Sequence, residues 1–246
     1  MNNVSVIGAT SPLGISLVDA LKDAGCTVVA SFRDMNLVPA NWDDDPHILL
    51  HNLDLLYEPD AAAFGCETVV WLAHIDAGRN NEKEIEDNRR AFERFLSGLT
   101  RSTTSKIVFV SSGGSVYGHP QILPIPEGHT RVPLSTYGKT KRELEDRLIA
   151  FGRGSGLQTA ILRPGNIYGF ERPDRKSKGV IGAFLRSLAD GSPFTLIHGG
   201  RTVRDFIHVD DVCTGVLAAI RSESGDIVWN VATGIGTSTV DVFISS

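Results

Sequence analysis

Short apolar runs rich in β-branched residues punctuate the chain at residues 4–7, 27–30, 48–50, 68–72, 106–110 and 159–162. The runs are continuous rather than alternating, which predicts strands buried on both faces. Between them, apolar positions recur at helical spacing over 13–24, 82–99 and 136–151, so each of those segments has one face able to cover a sheet. Strand and helix therefore alternate through two thirds of the chain. Crossovers of that kind build an α/β fold, a doubly wound parallel sheet with helices on both faces.

After Pro164 the rhythm loosens. Glu171-Arg172-Pro173-Asp174-Arg175-Lys176 reads as a polar, turn-rich insertion ahead of a helix over 179–189. Residues 1–165, joined by about 203–228, are expected to form the main domain. Residues 166–202 and 229–246 are expected to form a small C-terminal lobe. Asp210 and Asp211 precede a helix over 212–220 and suit its N-cap and its dipole.

Composition narrows the function classes. The 246 residues, 41% hydrophobic and 22% charged, suit an ordinary globular protein. A formal charge of −5 with scattered Lys and Arg offers no broad basic field, so no nucleic-acid partner is expected. Cys26, Cys66 and Cys213 form no CxxC pair, and the seven histidines lack ligand spacing; neither a disulfide framework nor a metal site is signalled. The chain enters its first strand without a leader pattern, and no apolar stretch is long enough for a bilayer. A cytoplasmic protein without a membrane partner is the expectation.

Gly8-Ala9-Thr10-Ser11-Pro12-Leu13-Gly14 joins the first strand to the first helix, the context in which a Gly-rich turn binds a dinucleotide. Gly8 can take the tight turn, Ser11 can cap the helix and Pro12 suits its first position, leaving amides that face a pyrophosphate. Ser11 stands where a second glycine is usual. A strand-to-helix turn that binds nothing would share these features. The second strand ends in Ser31-Phe32-Arg33-Asp34. An acidic residue there grips the ribose hydroxyls of NAD, whereas an Arg pairs with the 2′-phosphate of NADP. Arg33 tilts the reading to NADP, and Asp34 leaves NAD open.

Ser135-Thr136-Tyr137-Gly138-Lys139-Thr140-Lys141 sets Tyr137 and Lys141 one helical turn apart, on one face. A phenol works as a base near neutrality only when cations lower its pKa, and Lys141 is the nearest candidate. The same helix carries Lys139, Arg142, Glu143, Glu145 and Arg147, a set that also suits a solvated surface. Directly after the strand at 106–110 comes Ser111-Ser112-Gly113-Gly114-Ser115-Val116-Tyr117-Gly118, which gathers hydroxyls at the sheet edge where α/β folds place their sites.

With these motifs in hand, the chain resembles the extended short-chain dehydrogenase/reductase family, nearest to its UDP-glucose 4-epimerase-like, NAD-dependent epimerase/dehydratase branch. The likeness also rests on Asp54, Trp71-Leu72-Ala73-His74, Asn88, Leu162-Arg163-Pro164-Gly165-Asn166-Ile167-Tyr168-Gly169 and Arg204-Asp205-Phe206-Ile207-His208-Val209-Asp210-Asp211. It implies a Rossmann fold and hydride transfer between NAD(P) and a sugar carbon. Tyr137 is implied as acid/base, and Lys141 as the residue that lowers its pKa and holds the nicotinamide ribose. Besides Gly8, Thr10, Ser11, Pro12, Leu13, Gly14, Phe32 and Arg33, the implied cofactor residues are Asp54, Leu55, Leu72, Ala73, His74, Ser111, Tyr137, Lys141 and Pro164.

The hydroxyl that usually completes the triad aligns with Gly113, so Ser115 is the expected substitute, with Ser112 as a substrate contact. Asn166 and Arg204 are implied at the nucleotide-sugar substrate, Arg204 on its diphosphate; a loop-stabilising amide and an ion pair with Asp205 are the alternatives. His74 and His198 would line the cofactor and base pockets, or simply pack. The resemblance implies a homodimer through the helices at 82–99 and 135–151. Family members continue past residues 229–234, so a chain ending at Ser246 is expected to leave the lobe short. Three functions stay open: an epimerase that recycles its cofactor, an NADPH-dependent reductase of a keto sugar or small carbonyl, and a non-catalytic NAD(P)-binding regulator.

Overall fold

The computed structural model describes residues 3–54, 56, 65–78, 81–99, 103–170 and 179–244. Leu55 and the insertion at 171–176 lie outside them, as does the side chain of His198. Seven parallel strands form the main sheet: β1 (Asn3–Ile7), β2 (Thr27–Phe32), β3 (Ile48–Asn52), β4 (Thr68–Trp71), β5 (Lys106–Val110), β6 (Gln158–Pro164) and a last strand, Ile227–Val231. Their order is β3-β2-β1-β4-β5-β6 and then Ile227–Val231. The order reverses direction beside β1, and a doubly wound sheet has its ligand crevice at such a switch point. The fold is the Rossmann-like α/β fold that the alternating pattern predicts.

Each strand feeds two cores because its side chains alternate faces. Val4, Val6, Val28, Ala30, Val108 and Leu162 point to one side, where α1 (Pro12–Asp23) packs. Ile7, Val69, Trp71, Ile107 and Phe109 point to the other, against α2 (Asn81–Leu99) and α4 (Thr136–Ser155), with α3 (Gly113–Val116) at the strand edge between. An aromatic cluster fills that second core, with the Trp71 ring 4.9 Å from Phe92 and 4.7 Å from Phe95. Both faces of the sheet are thus covered, which is why the strands are apolar throughout.

Sheet membership divides the C-terminal part differently from the expected boundaries. A second sheet orders β7 (Asn166–Tyr168), β8 (Val203–His208) and Gly236–Ser238 with β8 in the centre. Residues 203–208, expected with the main domain, therefore belong to the small sheet. Residues 227–231, mostly assigned to the lobe, are the seventh main-sheet strand, β9. The reason is the helix between them: α6 (Val209–Arg221) packs Val212 and Val216 beside α1, and the chain leaving it returns parallel to β6. Gly236–Ser238 is β10, followed by α7 (Thr239–Ile244); α5 (Val180–Asp190) joins it through Phe184 and Phe243, whose rings lie 3.9 Å apart.

The start of α6 corrects a second expectation. The helix begins at Val209, and its N-cap is His208, whose ring accepts from the Asp210 amide at 3.3 Å. Asp210 and Asp211 lie inside the first turn, where they complement the dipole without capping. Lys106 secures the other end: its buried ammonium donates to the carbonyls of Ala219 at 3.3 Å and Ile220 at 3.0 Å, and to Ser222. No described helix is long and apolar enough to cross a membrane.

Candidate active site

The turn after β1 is tightly confined. Gly8 has φ +88°, a conformation that L side chains rarely adopt, and a Cβ on it would come within 3.0 Å of the Ala73 nitrogen. Gly14 is equally confined, since a Cβ there would lie 2.5 Å from the carbonyls of Gly8 and Ala9. Ser11 caps α1, its hydroxyl accepting from Gly14 N at 3.1 Å, and Pro12 occupies the first turn. α1 begins at the sheet edge with its positive end toward the switch point.

The loop after β4 continues the cradle. Leu72 N donates to Ile7 O at 2.9 Å, and the Trp71 indole donates to Ala73 O at 3.1 Å. Asn88 of α2 fixes the next stretch by accepting from Ile75 N at 2.9 Å and donating to Ile75 O at 2.7 Å. His74 lies 3.2 Å from the Glu84 carboxylate and meets the Tyr137 ring edge-on at 4.9 Å. Gly8, Ala73, His74 and Tyr137 are therefore in continuous contact.

At the end of β2, Phe32 is buried and Arg33 is exposed. Asp34 has a local task, its carboxylate accepting from the Asn36 amide and side chain at 3.0 Å. Asp54, after β3, accepts from Leu56 N at 3.0 Å.

Ser135 starts α4, its hydroxyl accepting from Gly138 N at 3.1 Å. From that fixed start the helix turns Lys141 inward, 2% exposed. Its ammonium donates to Val110 O at 3.0 Å and lies 4.9 Å from the Phe109 ring centre and 5.7 Å from that of Tyr137. Burial pushes its pKa down to about 8, and Glu145 partly opposes the fall. Tyr137 is 36% exposed, yet the protein around it pushes the phenol up to about 12 by desolvating the phenolate. Water reaching the open third of the residue moderates that effect.

The serine-rich loop departs from expectation at Ser111. The Ser111 hydroxyl donates to buried Glu145, so it is engaged inside the protein. Gly113 opens α3 directly on the end of β6: a Cβ would come within 2.9 Å of Arg163 O and 3.2 Å of Pro164 O. That contact excludes the usual hydroxyl residue. Ser115 packs its carbonyl beside Gly138, next to Tyr137, while Ser112 sits at the N-cap of α3 without using its hydroxyl for the cap. Asn166 directs its amide oxygen to Gly114.

Sequence reasoning missed Glu145, which it placed among solvated helix charges. The residue is 0% exposed and lies one turn after Lys141. Besides Ser111 it binds Arg163, with Oε2 2.7 Å from Nη2, and Arg131, with Oε2 2.8 Å from Nη1. The inward stripe Tyr137, Lys141, Glu145 and Leu148 was the available signal. By contrast, Glu143 and Arg147 do pair across one turn at 2.9 Å.

Arg204 lies exposed on β8, donating to its own neighbour's carbonyl, Val203 O, at 2.8 Å. Asp205 accepts instead from Thr233 N at 2.9 Å, Thr233 Oγ1 at 2.7 Å and Gly234 N at 2.7 Å. It thereby shapes the loop after β9. Among the described residues, no group of three His, Cys, Asp or Glu is placed to hold a metal ion.

The profile of the NAD dependent epimerase/dehydratase family matches residues 4–232. A Methanocaldococcus jannaschii protein proposed as a UDP-glucose 4-epimerase is 44% identical over 98% of this chain and 80% of its own. The UDP-glucose 4-epimerase of Thermotoga maritima, solved with UDP-glucose, superposes with a TM-score of 0.85 at 26% identity, over 98% of this chain and 80% of that one. The Thermus thermophilus UDP-glucose 4-epimerase in complex with NAD gives a TM-score of 0.82 at 25% identity, over 99% and 81%.

Proposed function

The chain belongs to the NAD-dependent epimerase/dehydratase family, and we propose that within it this enzyme inverts C4 of a UDP-hexose, with Tyr137 as acid/base and Lys141 as its charged partner. The observation that carries the reading is the unbroken contact from the Gly8 turn through Ala73 and His74 to Tyr137. That contact supports a proton-transfer role for Tyr137 beside a dinucleotide bound at the turn.

The residues fit an NAD(P) cofactor because Gly8 and Gly14 let the turn close tightly on Ala73 and on its own carbonyls, which supports a phosphate held by the amides at the start of α1. Gly8, Thr10, Ser11, Pro12, Leu13 and Gly14 would hold the phosphates, Phe32, Arg33 and Asp54 the adenosine half, and Leu72, Ala73, Pro164 and Lys141 the nicotinamide half. When bound, nicotinamide supplies a reversible two-electron exchange with the sugar carbon.

Tyr137 takes the proton of the C4 hydroxyl as the carbon is oxidised and returns it when the carbon is reduced on its other face. Atoms and electrons balance with no net redox change. Burial alone raises the Tyr137 phenol, so the reading requires positive charge beside it; Lys141, with a pKa of about 8, is mostly protonated at pH 7 and would supply part of that charge. Ser112 or Ser115 steadies the reacting oxygen, while Asn166 and Arg204 hold the nucleotide sugar, Arg204 by charge-assisted bonds to its diphosphate. A homodimer through the outer faces of α2 and α4 belongs to the same reading, and sedimentation would test it.

The decisive assay supplies UDP-glucose or UDP-galactose with substoichiometric cofactor. Interconversion without loss of nicotinamide absorbance, abolished in Tyr137→Phe, is the expected result. Arg33 favours a second reading. Its guanidinium is exposed beside the ribose position, and Asp34 is engaged with Asn36. That arrangement supports acceptance of NADP and hence NADPH-dependent reduction of a keto sugar. Stoichiometric NADPH consumption would identify it, and a Tyr137→Phe variant with unchanged biological activity would favour the non-catalytic regulator.

A further inference from the structure

One carboxylate holds the charged residues of the site without being placed for proton transfer. Glu145 Oε1 accepts from the Ser111 hydroxyl at the end of β5 and from Arg163 Nε at 3.1 Å at the end of β6. Oε2 accepts from Arg163 Nη2 at 2.7 Å and from Arg131 Nη1 at 2.8 Å, in the loop that enters α4. Arg163 Nη1 reaches further, donating to the Tyr117 hydroxyl at 2.8 Å and Glu127 O at 2.9 Å. Tyr117 in turn donates to Asn230 of β9 at 2.7 Å.

A pair this deep contributes little net stability, because desolvating both ions costs about as much as pairing returns. Its consequence lies in what it connects: two strand ends and the entering loop are tied to the helix that carries Tyr137 and Lys141. The charged groups facing Glu145 are Lys141 on its own helix, Arg163 from β6 and Arg131 from the loop. Asp146 offsets Arg131 on its outer side at 2.6 Å.

We propose that Glu145 is a positioning residue for the proton-transfer pair: it clamps the ends of β5 and β6 to α4 and supplies the negative charge that sustains an ammonium at Lys141. The inference rests on the assignment of Tyr137 and Lys141 as that pair. Without the carboxylate, burial acts unopposed on Lys141, so its titration moves down; with a carboxylate set back by one methylene, the charge survives and the clamp loosens.

The test follows Lys141 by NMR in protein carrying ¹³C-labelled lysine, assigned with Lys141→Met, alongside the pH profile of kcat. In Glu145→Gln the midpoint falls by about one pH unit and the alkaline limb of kcat follows it, while KM for UDP-glucose changes less than kcat. In Glu145→Asp the midpoint stays and kcat falls about tenfold. A folded Glu145→Gln with an unmoved midpoint overturns the electrostatic role, and wild-type kcat in Glu145→Asp overturns the clamp. If Glu145→Gln does not fold, Arg131→Gln reads the charge instead: freeing the carboxylate of one arginine raises the Lys141 midpoint, and an unmoved midpoint overturns the electrostatic role. The titration needs no turnover, so failure of the epimerase reading, an inactive wild type, is read separately.

Discussion

Gly8 approaches Ala73 so closely that a Cβ would lie 3.0 Å from the Ala73 nitrogen and 3.1 Å from its Cα. Neither is the movable end of a side chain, because Leu72 N and Ala73 O are hydrogen-bonded to Ile7 and Trp71. Gly8→Ala should therefore displace the very loop that leads to Tyr137. The substitution is expected to destabilise the fold by about 1–3 kcal/mol, from positive φ and the clash together. Dinucleotide binding should weaken at least tenfold. Thermal unfolding and a fluorescence titration with NADH and NADPH check both halves, and near-normal cofactor affinity would remove the turn from the site.

Lys141 gives a stability prediction whose sign depends on pH. Its folded pKa, about 8, lies below the ordinary 10.5, so the unfolded chain binds the proton more readily. Wild-type stability should rise as pH goes from about 8 to 10.5, and the full penalty, about 3 kcal/mol, applies below pH 8. Lys141→Met removes that penalty and leaves Val110 O short of a donor, at about 1 kcal/mol. The variant should be about 2 kcal/mol more stable than wild type at pH 7 and nearly inactive, with the gain shrinking above pH 8. Denaturant melts at pH 7 and 10 measure it.

The two candidate serines can be separated by activity. Gly113 has no room for a hydroxyl residue, so the contact to the reacting oxygen falls to Ser112 or Ser115. Ser112 does not use its hydroxyl for the α3 cap, and its loss should cost no stability. Ser112→Ala is expected to lower kcat by 10-fold to 100-fold, as loss of one transition-state donor does at an order of magnitude. The double variant should be no worse than the more damaging single. Equal, wild-type kcat in both singles would mean that a backbone group holds the oxygen.

Arg33 is the cofactor test. A charge-assisted contact to a 2′-phosphate is worth about 1.5–3 kcal/mol, so Arg33→Ala should weaken NADPH roughly 10-fold to 100-fold and leave NADH within a factor of about two. Wild-type preference for NADH by more than about tenfold would show that Arg33 does not read the phosphate.

The chain's local patterns determined its fold class and much of its site. Continuous apolar runs marked six of the main-sheet strands because both faces of that sheet are covered. The Gly8 turn and the Tyr137–Lys141 spacing were legible because each is built within seven neighbouring residues. What the tertiary structure alone decided depends on partners far apart in the chain. Glu145 looks like a surface charge until the sheet brings Ser111 and Arg163 to it from 34 and 18 residues away. Gly113 looks like a lost hydroxyl until the end of β6 is seen to occupy the space a side chain would need. Likewise, residues 203–208 and 229–231 lie in the opposite part of the fold from the one expected because pairing follows where α6 packs, a long-range apolar contact that strand composition does not encode.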